Sequence, residues 1–120
     1  MNASRRPNFI LFITDQHRAD FLGCYGHPVL RTPNIDSIAA RGTCFDKFHV
    51  ASPVCQPNRA SLMTGRMPSV HDVRSNGIPL SMNSVTFVDL LRAAGYRTAM
   101  VGKSPLRSEE HTSELQSPMY

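Results

Sequence analysis

Residues 53–66 read Pro-Val-Cys55-Gln-Pro57-Asn-Arg59-Ala-Ser-Leu-Met-Thr-Gly-Arg. This stretch predicts a helix over about 56–63, closed by Thr64-Gly65. Cys55 stands at its start, and Pro57 lies in the first turn, where a missing N–H costs little. Free N–H groups and the positive end of the helix dipole at such a start favour an anion. Arg59 follows Cys55 by four residues, so one helical turn puts both on the same face. Its guanidinium stays charged and suits planar or tetrahedral oxyanions. A nucleophile, an anion-binding helix start and an arginine are what attack on a sulfate or phosphate ester requires.

Two further positions stand where a fold could aim them. Asn8 to Thr14 is a continuous apolar run that stops on Asp15-Gln16. It reads as a strand buried on both faces, with the polar pair at its carboxyl end, the edge of an open α/β sheet where ligands bind. Lys103 likewise follows a predicted strand over Tyr96 to Val101. His17, His49 and His71 could serve as acid–base groups by type. Nothing in the sequence fixes a role for any of them, and His71, in the loop after the helix, reads as structural.

The elements between these residues follow from local signals. Thr32-Pro33 opens a helix as N-cap and first residue, Ile35, Ile38 and Ala39 form its apolar stripe, and Gly42 ends it. Residues 43–50 partly alternate and predict a short strand, which would place Cys44 in a core. Met67 to Asn83 has two prolines, a glycine and little periodicity, which predicts a long loop. Phe87, Leu90, Leu91 and Ala94 give a further helix, ended by Gly95. Cys24 sits in a Gly-Cys-Tyr-Gly turn. The order β, α, β, α, loop, α, β predicts an α/β layered fold. Three strands are few for such a sheet, so the chain reads as the first part of a larger domain.

Composition narrows the classes. The 120 residues are 41% hydrophobic and carry 13 Lys+Arg against 9 Asp+Glu, for a formal charge of +4. The arginines are scattered, without the basic run or interleaved aromatics of a nucleic-acid surface. Three cysteines without C-x-x-C spacing support neither a zinc site nor a disulfide framework, and suit a reducing compartment. The apolar run after the basic start is too short for a signal peptide, and nothing approaches the roughly 20 apolar residues of a membrane helix. A cytoplasmic location is expected, with no nucleic-acid or membrane partner.

The pattern C-x-P-x-R at Cys55, followed by Thr64-Gly65-Arg66, resembles the signature of the type I sulfatases of the alkaline phosphatase superfamily. The segments 8–20, 32–66 and 93–103 are similar to that family's opening strand, its run from first to catalytic helix, and its next βα unit. The resemblance implies an alkaline phosphatase-like sandwich with a mainly parallel central sheet flanked by helices. It implies a metal-dependent sulfuric ester hydrolase in which Cys55 is converted to Cα-formylglycine by a formylglycine-generating enzyme and supplies the attacking oxygen. Asp15, Gln16 and the modified Cys55 would bind a divalent cation, calcium first and manganese second. Arg59 would orient the formylglycine, Lys103 would bind sulfate oxygens, and the substrate would be a sulfate-ester small molecule or glycan.

Gln16 stands where many sulfatases have a second Asp. With the Asn76 to Pro79 loop, this looks more like the branch of phosphonate monoester hydrolases and related bacterial sulfatases, and it points to a bacterial source. A phosphonate or phosphodiester hydrolase is the alternative chemistry, and a non-catalytic metal-binding fragment the alternative class. The family pattern breaks after Lys103, and Pro105 stands where a histidine is expected. All three glutamates lie beyond it, and residues 107–117 resemble the in-frame translation of a sequencing-library adapter. The expected organisation is a partial catalytic domain over 1–106 and an artefactual, disordered tail over 107–120, the chain as written lacking turnover.

Overall fold

The computed structural model describes residues 6–102 and Leu106. Lys103, Pro105 and the 107–120 tail lie outside them. The chain divides into two units, Met1–Lys47 and Phe48–Tyr120.

In the first unit, two short 3-10 turns, Ala19–Phe21 and Gly23–Tyr25, precede helix α1, Pro33–Arg41. Thr32 occupies the N-cap and Pro33 the first turn, as their order predicts. The cap works in an unusual way. The Thr32 hydroxyl donates to Asp36 Oδ1 at 2.7 Å and accepts from the Gly23 N–H at 2.8 Å. Asp36 Oδ1 also accepts from the Cys24 N–H at 2.8 Å. The start of α1 therefore holds the Gly23–Tyr25 turn by its backbone. A Cβ on Gly23 would run into the Asp36 carboxylate, so only glycine permits this approach. Tyr25 extends the same attachment, its hydroxyl donating to the Phe45 carbonyl at 2.8 Å.

In the second unit, α2 spans Cys55–Thr64, α3 Pro68–His71 and α4 Phe87–Ala93. Gly65 ends α2 at φ +67°, its N–H returning to the Ser61 carbonyl at 2.8 Å. That left-handed cap is open to glycine at little cost. Helix α4 starts on a reciprocal capping box. The Thr86 hydroxyl accepts from the Asp89 N–H, and the Asp89 carboxylate accepts from the Thr86 N–H at 2.9 Å. Among the described residues the core comprises Ala60, Val73 and Leu80, with Leu106 packed against it and Pro57 fully buried. The Leu80 N–H donates to the Leu106 carbonyl at 3.0 Å.

Three expectations are corrected. Residues 8–14, 43–50 and 96–101 form no β-ladder among the described residues. The doubly buried strand is instead open to solvent, with Ile10 81% and Phe12 87% exposed. Apolar content favours a strand, but a strand exists only through a ladder with a neighbouring segment, and the described residues form no such ladder here. Cys44, expected in a strand core, is exposed for the same reason. The expected loop over 67–83 contains the single turn α3, set by Pro68 at its start and by Asp72, whose φ of +61° closes it. Four residues are too few to show a period.

Candidate active site

Cys55 is the first residue of α2, exposed, with a free thiol. Arg59 lies one turn on in the same helix, half-buried and engaged with neighbouring groups. The structure thus brings these two predicted residues together on one rigid element. The expected anion-binding helix start is changed, however. Of the first-turn donors, the Gln56 N–H is taken by Asn76 Oδ1 at 3.1 Å, and Pro57 has none to give. That leaves fewer first-turn donors for an anion, while Arg59, one turn on, adds a cationic side chain to the same helix.

The Gln56 side chain, 5% exposed, is bonded at both ends of its amide. Its Oε1 accepts from the Gly77 N–H at 2.7 Å, and its Nε2 donates to the Ile78 carbonyl at 2.7 Å. The loop at Asn76 to Pro79 is thereby attached to the residue next to Cys55. Sequence reasoning missed Gln56, since a polar residue in a first turn ordinarily faces water. On the opposite side of the same helix, Ser61 and His71 form a buried pair, which supports the structural reading of His71.

Asp15 and Gln16 lie together in an exposed bend of the first unit. Gln16 has φ +48°, a left-handed conformation that costs a non-glycine residue about 1–2 kcal/mol. The pair presents a carboxylate and an amide oxygen, the donor types a hard cation prefers. Two such groups are fewer than the roughly six to eight oxygens that calcium takes. Among the described residues, no group of three His, Cys, Asp or Glu side chains gathers around a common point. The donors match in kind and are incomplete in number. Close by in sequence, the Arg18 guanidinium forks onto both Asp20 oxygens at 2.9 and 2.6 Å, and this bond holds the Asp20 carboxyl below its usual range. His17 and His49 are exposed. Lys103 lies outside the described residues.

A sequence profile of the sulfatase family matches residues 7–115. The chain belongs to the sulfatase family. It is 38% identical over 106 residues to the N-acetylglucosamine-6-O-sulfatase of Bacteroides thetaiotaomicron, covering 88% of this chain and 19% of that protein. Human arylsulfatase A is 41% identical over 110 residues, covering 83% and 21%. Among solved structures, BT4656 in complex with its substrate D-glucosamine-2-N,6-O-disulfate superposes with a TM-score of 0.83 at 37% identity, covering 89% of this chain and 22% of that one. BT1596, a 2-O GAG sulfatase, superposes with a TM-score of 0.67 at 33% identity, covering 83% and 24%. The chain spans about a fifth of the length of these curated sulfatases.

Proposed function

We propose that the full-length protein is a sulfuric ester hydrolase built on an alkaline phosphatase-like sandwich, with residues 53–66 at its reacting centre. The observation that carries this reading is Cys55 exposed at the start of α2 with Arg59 one turn on, inside a sulfatase-family match over residues 7–115. Cys55, converted to formylglycine by a separate enzyme, supplies the attacking oxygen. Arg59 holds and orients that group, since its guanidinium cannot lose its charge. Lys103 binds sulfate oxygens. Asp15 and Gln16, with the modified Cys55, would hold a divalent cation, calcium above all, which supplies positive charge against the ester oxygens. The names of the relatives support a sulfated glycan as substrate class. Gln16 in place of a second acid favours one rival chemistry, hydrolysis of a phosphonate or phosphate diester at the same centre.

Mass spectrometry of the Cys55 peptide, after co-expression with a formylglycine-generating enzyme, tests the reading. Formylglycine at position 55 is expected, and an unmodified thiol overturns the assignment. Turnover of aryl sulfate against phosphonate and phosphodiester by the full-length protein separates the two chemistries.

A further inference from the structure

A helix start frays unless its first residues are held. Cys55 is the first residue of α2 and is exposed, so its own contacts do not account for a fixed position. The next residue does. Gln56 makes three bonds, from its N–H to Asn76, from Nε2 to the Ile78 carbonyl and to Oε1 from the Gly77 N–H. Both ends of its amide are used, and no buried side-chain polar atom is left unpaired among the described residues. Burying an amide costs free energy that an apolar residue would avoid, and its return is a defined geometry. The bonds are also directional. One amide reads a donor and an acceptor on successive residues of the 76–79 loop, which locates that loop relative to α2 in both register and orientation.

We propose that Gln56 is a positioning residue: its side chain locks the Gly77–Ile78 backbone to the first turn of α2 and so fixes the point from which residue 55 projects. This rests on the reading of Cys55 as the reacting group, while the lock itself does not. A reacting atom displaced by about 1 Å loses on the order of a hundredfold in rate, whereas substrate affinity, spread over other contacts, changes little.

The decisive variant is Gln56→Glu. As a neutral acid it accepts from Gly77 and donates to Ile78 as glutamine does. As a carboxylate it has no proton for the Ile78 carbonyl and repels it. Two readouts are taken on the full-length protein across the pH range in which a carboxyl titrates. One is the hydrogen-exchange protection of the Gly77 and Gln56 amides, and the other is kcat and KM on an aryl sulfate. In Gln56→Glu both protection and kcat should match wild type at the acidic end. As pH rises they should fall together by at least tenfold relative to wild type at the same pH, with KM within twofold. Gln56→Ala should show the same losses at every pH. Protection lost with kcat unchanged overturns the positioning role. Protection unchanged in Gln56→Glu at every pH overturns the lock, even where Gln56→Ala fails to fold. Should wild type turn over no sulfate ester, the functional reading fails and the positioning role falls with it, while amide protection still reports separately on the lock.

Discussion

His71 Nε2 lies 2.9 Å from Ser61 Oγ, and the Nδ1 atom of the same ring accepts the Val73 N–H at 3.1 Å. An imidazole nitrogen that accepts from a backbone N–H carries no proton in the neutral ring, so the proton resides on Nε2 and is donated to Ser61. A serine and a histidine in contact suggest a nucleophile and its base, but a base must have its lone pair toward the hydroxyl. Here the ring points a donor at it. The pair ties the one-turn helix α3 to α2 and places Val73 in the core beside Ala60.

His71→Ala should therefore lower stability by about 2–3 kcal/mol, from the cavity and from two buried groups left without partners. Urea unfolding followed by circular dichroism measures this. A change under 0.5 kcal/mol would mean that the pair contributes little to holding α3.

The capping box at α4 gives a prediction with a pH sign. Hydrogen bonds from Thr86, side chain first, hold the Asp89 carboxyl below its ordinary range. A depressed carboxyl contributes stability that is present above its unfolded pKa and lost as pH falls through the folded value. Exchange of the Asp89 and Leu90 amides should accordingly lose protection on acidification below about pH 4. Thr86→Ala should cost about 1 kcal/mol at neutral pH and flatten that dependence.

Tyr25 titrates in the opposite sense. The Cys44 thiol beside it, with burial second, pushes its hydroxyl up to about 12. A raised tyrosine contributes stability that is complete below the ordinary value near 10 and lost as pH rises towards the folded one. Ultraviolet titration of phenolate formation should show a late component that is absent in Tyr25→Phe. Absence of that component from wild type would refute the placement of Tyr25 against residues 44 and 45.

Asp15→Ala tests the cation assignment. In the full-length protein, elemental analysis should show lower metal occupancy, and the rate should fall with it, because one of the oxygens offered beside Gln16 is gone. Full occupancy in the variant would remove Asp15 from the ligand set.

Much of this protein was legible without coordinates, because the signals concerned are local. Thr32-Pro33 sets the start of α1, Cys55 through Gly65 sets α2 and its left-handed cap, and C-x-P-x-R places a cysteine and an arginine one turn apart. Each depends on residues within about one turn of one another, where backbone preference and side-chain spacing decide the outcome. The Thr86–Asp89 box was equally local and was overlooked although its T-x-x-D pattern is in the sequence. What tertiary structure decided involves partners 10 to 26 residues away. Gln56 faces Gly77 and Ile78, His71 faces Ser61, and Leu80 meets Leu106. No spacing rule connects such pairs, since their meeting depends on how loops close. The apolar run Phe9 to Ile13 marks the same boundary from the other side. Its composition states a preference for a buried strand, but a ladder is a property of two segments, and one segment's residues cannot supply the other's hydrogen bonds.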